Sequence, residues 1–139
     1  MKNIIANKYS FTALLCSLLL LLSACATTAE PKAASIEERV TARWNALLSD
    51  DLAGAYEFLS PGYRSSVSSV QYQRSILLQR VQWTEATYRS SECTETTCNV
   101  SVLLGFKVVG ALPGVKTFEG KRDVKESWIK IDDMWYLVP

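Results

Sequence analysis

Histidine is absent from the 139 residues. That removes the commonest general base and the commonest metal ligand at neutral pH. Charge bias is missing as well: 15 Lys and Arg stand against 14 Asp and Glu. With no basic excess to neutralise phosphates, nucleic acid is excluded as a partner. The apolar run from Phe11 to Leu22 is too short for a comfortable membrane span, and no internal repeat is visible. Cysteine is scarce, at positions 16, 25, 93 and 98. Neither a metal nor a cofactor is expected from this inventory.

What is present starts with an address. Residues 1–24 hold Lys2, Lys8 and no acid, then the apolar run, with no basic stop-transfer cluster behind it. That order reads as a secretory signal. Its end, Leu22-Ser23-Ala24-Cys25, resembles the bacterial lipobox. The resemblance implies cleavage before Cys25, a lipid on its sulfur and an acyl chain on its new amino group. Each buried CH₂ is worth about 0.8 kcal/mol, so several chains hold a protein at a membrane almost permanently. Ala26, where an Asp could stand, resembles the class sorted to the outer membrane. The expected location is therefore the cell envelope, on the outer membrane facing the periplasm. Residues 26–34 are a small-residue linker that reaches at most about 30 Å.

Of the 139 residues, 24 lie in the leader, which leaves 115. The leader takes two basic residues and no acidic ones, so the remainder carries a net charge of −1. That length suits one domain, expected over residues 35–139. Cys16 leaves with the signal and Cys25 takes the lipid, so Cys93 and Cys98 remain. An even pair in an exported chain points to a disulfide. Zinc would need two further ligands, and the spacing is not the C-x-x-C of redox proteins.

Ser35-Ile36-Glu37-Glu38 is a capping box that opens a helix. Ile36, Val40, Trp44, Leu47 and Leu48 make its apolar stripe, with Glu37, Arg39 and Arg43 expected to face elsewhere. Asp50-Asp51 caps a second helix carrying Leu52, Ala55, Tyr56 and Leu59, which Ser60-Pro61-Gly62 is expected to end. Ser68 or Ser69 can cap a third, through Val70, Ile76 and Leu77.

From Val81 the pattern turns to strands. Residues 81–92 form the first, with Trp83 and Tyr88 on opposite faces by parity. After the Cys93–Cys98 turn, Val100, Val102, Leu104, Phe106 and Val108 share a face, and Gly105 marks a bulge. A turn at residues 110–114 leads to a long third strand, polar in its first half. Asp132-Asp133 turns into Met134-Trp135-Tyr136-Leu137-Val138, apolar on both parities and so expected to be covered on both faces. Three helices followed by a four-strand meander argue an α+β fold, with helices on one face of a curved antiparallel sheet.

The helix–helix–Ser60-Pro61-Gly62-Tyr63-Arg64–helix order, with a meander ending in Trp128 … Trp135-Tyr136, resembles the nuclear transport factor 2-like superfamily. The resemblance covers about residues 36–139. It implies a cone, a curved sheet wrapped on a long helix and open at one end. That superfamily holds isomerases, dehydratases, transport adaptors and exported proteins, so fold leaves function open.

Enzymes of that superfamily commonly use a pocket Asp or an Asp–His pair; the latter is excluded here. Glu85 shares parity with Trp83 and is the one weak catalytic candidate, a half-buried acid whose pKa burial would raise. Lys121-Arg122-Asp123-Val124-Lys125-Glu126 reads as a solvated face of alternating charge. Trp83, Tyr88, Trp128 and Trp135 could line a pocket, although such rings more often fill core. The leading expectation is a non-enzymatic envelope lipoprotein whose domain binds a partner protein or an apolar small ligand. The alternatives are an isomerase or hydratase with a carboxylate base, or a structural subunit of an envelope complex.

Overall fold

The structure is a computed structural model and describes residues 33–112 and 115–139. The signal, Cys25, most of the linker and the tip of the turn at 113–114 lie outside the described residues. Among the described residues, no helix is long and apolar enough to cross a membrane.

Four helices precede four strands: α1 (Ile36–Leu48), α2 (Leu52–Tyr56), α3 (Pro61–Ser66), α4 (Ser69–Leu77), β1 (Val81–Cys93), β2 (Thr97–Leu112), β3 (Val115–Ile131) and β4 (Met134–Val138). The strands form one antiparallel sheet in the order β1-β2-β3-β4. The chain is thus α+β, with its helices followed by a meander.

The helix starts follow local chemistry. Ser35 and Glu38 close a complete capping box on α1, and Ser68 and Gln71 close another on α4. The Asp51 carboxylate accepts from the Gly54 amide at 2.9 Å and opens α2. The second helix stops at Tyr56, ahead of Ser60-Pro61-Gly62, and Pro61 opens a further short helix that the pattern did not predict. It sits in the first turn of α3, where its missing N–H costs nothing, and the Ser60 hydroxyl caps the Tyr63 amide. The sequence reading also misplaced the inner face of α4. Val70 and Leu77 are 74% and 73% exposed, while Tyr72 is buried. A nine-residue helix cannot bury both sets, and the inward Tyr72 ring packs against Tyr56 at 5.7 Å.

The core lies between α1 and the concave face of the sheet. Val40, Trp44 and Leu47 of α1 meet Cys98, Val100, Val102 and Leu104 of β2 and Trp128 of β3 in one buried cluster. The facing residues follow from the register, because Val100, Val102 and Leu104 sit opposite Glu126, Val124 and Arg122. Inward side chains on neighbouring strands line up across the ladder.

Strand β1 departs from simple alternation. Thr84 and Arg89 each lack an opposite residue on β2, so the strand carries two bulges. Each bulge shifts the inward parity by one. Trp83, Ala86, Tyr88 and Ser91 therefore all lean toward the core side. Trp83 and Tyr88 share a face, contrary to the parity expectation. The bulge at Thr84 lies opposite Gly105, and a Cβ on that glycine would stand 2.8 Å from the Thr84 hydroxyl. Gly105 marks a bulge in its neighbour, where Thr84 needs the space.

Asp132 and Asp133 take positive φ angles of 47° and 60°, the two left-handed residues of a tight hairpin. They return the chain into β4, which is an edge strand and not the doubly covered strand expected from its composition. Trp135 and Leu137 are buried, while Met134 and Val138 are exposed. The Leu137 N–H donates to Phe58 O and its carbonyl accepts from the Ser60 amide, both at 2.8 Å. The loop before α3 thus covers part of that edge.

Candidate functional site

The cone has a closed end and an open one, and the chemistry differs between them. At the closed end, β1 and β2 join through Thr94–Thr96, and Cys93 and Cys98 face each other at disulfide distance, with Cα atoms 4.0 Å apart. The Thr94 amide donates to Thr97 O at 2.8 Å and tightens the same turn.

Midway along the concave face lies a buried polar cluster that the sequence reading did not find. Glu126 is placed inward by β3, directly opposite Val100. Its Oε1 accepts from Arg43 Nη1 at 2.8 Å and from Trp44 Nε1 at 3.0 Å, and its Oε2 accepts from Trp128 Nε1 at 3.0 Å. The Arg43 and Glu126 side chains are each more than nine-tenths buried. A positional signal existed: Arg43 stands three residues after Val40 and four before Leu47, on the buried stripe itself. Glu126 shares parity with Trp128. Charge was allowed to outweigh position in both cases.

Beside this cluster the Tyr72 hydroxyl and Arg43 Nε are buried without a hydrogen-bond partner. Burial pushes the Tyr72 hydroxyl pKa up, and the positive charge of Arg43 pulls part of it back. Every carboxylate oxygen of Glu126 is taken by a donor, and the residue lines none of the cavities described below. Such an acid holds a structure together; it does not stand ready for a substrate proton.

Glu85 is not half-buried as expected but exposed. The bulge at Thr84 turns it outward, where Lys121 Nζ donates to its Oε2 at 2.6 Å. That hydrogen bond and the charge of Lys121 hold the Glu85 carboxyl below its usual range. Of the four candidate pocket aromatics, the structure brings one to an opening. Trp128 and Trp135 are core residues, and Tyr88 is half-buried with its hydroxyl donating to Ser91 Oγ at 2.7 Å. Trp83 lies at the open end, edge-on to Trp44 with ring centres 5.5 Å apart.

The open end is apolar. A cavity of about 90 Å³ is lined by Val81, Trp83, Leu104, Phe106 and Arg122. It adjoins, across Val81 and Trp83, a wider groove of about 370 Å³ between β1 and the helices, of mixed lining: Leu47, Leu52, Ile76 and Leu77 with Asp50, Gln79, Gln82 and Thr84. The Phe106 ring crosses over Gly120, where a Cβ would come within 2.9 Å of it, and leans on Phe118 at 6.0 Å. Phe118 is half exposed, and Leu77 and Leu78 stand out into solvent nearby in sequence to Val81. Among the described residues, no three Cys, Asp or Glu side chains stand close enough to share a metal ion.

Comparison with solved structures agrees with this geometry. The chain is similar to a SEC-C motif containing protein from Rhodopseudomonas palustris, with 18% identity, 77% of each chain covered and a TM-score of 0.60. A second SEC-C motif containing protein, from Psychrobacter arcticus, matches at 10% identity over 77% of this chain and 60% of that one, with a TM-score of 0.57. A protein of the NTF2-like family from Streptomyces avermitilis, described as a candidate dehydratase, matches at 14% identity, 71% and 86% coverage and a TM-score of 0.50. No family model and no curated protein matches the sequence. The fold is therefore of the nuclear transport factor 2-like kind. At these identities the likeness speaks for fold alone.

Proposed function

We propose that this chain is a lipid-anchored protein of the bacterial cell envelope, held at the outer membrane through Cys25, whose cone takes up a small apolar ligand without chemically altering it. One observation carries the reading: the open end of the cone presents Val81, Trp83, Leu104 and Phe106 around a cavity, and Val81 and Trp83 also border a wider groove of mixed lining. Ligand sites are concave and mostly apolar, with few polar groups. Against a carboxylate-base enzyme stands the closed setting of Glu126, with all its acceptors engaged, and the outward, ion-paired Glu85. An envelope protein partner is the second reading, favoured by Leu77 and Leu78, which are 73% and 72% exposed beside the same groove.

Two measurements test the proposal. An alkyne-bearing palmitate fed to cells should label the wild-type chain and leave Cys25→Ala unlabelled; equal labelling refutes the anchor. A neutral photoreactive decanol, activated in envelope membranes that carry the full chain, should crosslink to the segment 81–83 and lose most of that label in Phe106→Asp. Label spread evenly over the domain would refute the mouth as a ligand site.

A further inference from the structure

Arg122 is the one charged side chain on the wall of the apolar cavity. Strand β3 puts it there, directly opposite Leu104, whose side chain points to the concave face. Its neighbours on the ladder turn the other way: Lys121 pairs with Glu85 on the convex side, and Lys107 reaches Glu119 at 3.8 Å. Arg122 itself makes no ion pair or hydrogen bond among the described residues.

Among the described residues, no carboxylate is paired with it. Asp123 lies opposite Leu103 on the outward parity. Glu126 shares the inward face but lies four residues along the strand, roughly 13 Å away, and is held by Arg43. Asp50 lines the adjoining groove and not the cavity that holds Arg122. A guanidinium without a counter-charge, on the wall of a cavity shared with Trp83 and Phe106, is complementary to an anion that carries its own apolar body.

We infer that the ligand of the mouth is a free amphipathic monoanion, a medium-chain alkyl carboxylate, with its head on Arg122 and its chain along the groove. This rests on the proposed ligand-binding reading and adds the chemical class. The planar fork of arginine accepts a carboxylate through two parallel hydrogen bonds, which a lysine ammonium cannot reproduce. The cavity supplies the cation, and the leucine and isoleucine side of the groove beside Trp83 (Leu47, Leu52, Ile76 and Leu77) supplies a surface for the chain, with Asp50, Gln79 and Gln82 on the polar side.

The experiment uses envelope membranes that carry the full chain and two photoreactive probes of equal chain, a decanoate and a decanol. The decanoate should label the segments around Trp83 and Phe106 more strongly than the decanol. Arg122→Gln should cut decanoate labelling about tenfold and leave decanol labelling unchanged. Arg122→Lys should recover part of the loss. Arg122 is exposed and has no partner, so an unchanged melting temperature in both variants confirms that the fold is intact. Equal decanoate labelling of wild type and Arg122→Gln overturns the anionic class while leaving the apolar site standing. Failure of both probes to label the mouth overturns the ligand-binding reading itself. Flotation of the purified chain carrying Cys25→Ala with phosphatidylglycerol vesicles, lost on Arg122→Gln, would assign the mouth to a lipid surface and overturn the free carboxylate.

Discussion

Arg43 of α1 and Glu126 of β3 meet at 2.8 Å in the middle of the cone, 83 positions apart in the chain. Both have left water; the Trp44 N–H shares Oε1 of the carboxylate with Arg43, and the Trp128 N–H takes Oε2. Attraction between such charges is strong because solvent is absent, but their desolvation is costly for the same reason. Breaking one side leaves the other charge stranded. Glu126→Gln is expected to cost about 3–5 kcal/mol in urea unfolding. Arg43→Met combined with Glu126→Gln should cost less than the sum of the two single changes, since neither charge is then left alone. Strict additivity would show that the pair does not act as a unit.

Tyr72 gives a pH-dependent test. Its hydroxyl is buried without a partner, and its pKa is raised by burial. The folded chain therefore keeps this proton to higher pH than the unfolded chain does. Wild-type stability is unaffected by the titration of this group below the unfolded value near 10 and falls as pH rises beyond it. Tyr72→Phe should raise stability at neutral pH by about 1 kcal/mol, because an unpaired buried hydroxyl is removed. The gap over wild type should widen above pH 10. Parallel stability curves for the two proteins across that range would count against this account.

Gly105 and Thr84 should be coupled. Gly105→Ala forces a methyl to within 2.8 Å of the Thr84 hydroxyl and 3.1 Å of Glu85 Cβ. A cost of about 1–3 kcal/mol is expected from such crowding. Thr84→Gly in the same chain should recover a measurable share of it. No recovery would mean that the glycine is required for another reason.

Cys93 and Cys98 should be found joined in protein purified without reductant. Non-reduced peptide mass spectrometry should show the loss of two hydrogens, and Cys93→Ser with Cys98→Ser should lower stability by about 2 kcal/mol. Two freely alkylated thiols would refute the pairing.

Trp135→Ala should cost about 3–5 kcal/mol, because the ring is buried against the core although β4 is an edge strand. Wild-type denaturant resistance in that variant would remove β4 from the core.

Much of the fold was legible because its signals are local. Ser35 with Glu38, Asp51, and the Asp132-Asp133 turn all act within a few residues, and each does what its chemistry implies. The strand order followed from elements segregated along the chain. The candidate site was less legible, because it depends on what lies opposite. The outward turn of Glu85 is decided by Thr84, and nothing in residues 81–92 alone says where a bulge falls. Arg43 and Glu126 are surface-like residue types whose burial makes sense only when each is seen to have the other. Arg122 read as one charge in a run of charges until the register set it beside Leu104.

The two bulges also bear on the sheet's outer margin. Strand β1 borders the sheet, and its free edge offers amide and carbonyl groups to any extended chain that drifts past. Thr84 and Arg89 break that edge into runs of three, four and four residues, at 81–83, 85–88 and 90–93. Stacked strands in fibrils draw on regular segments of about six or seven residues. The irregularity that aims Trp83 at the mouth thus also denies neighbouring molecules a continuous template.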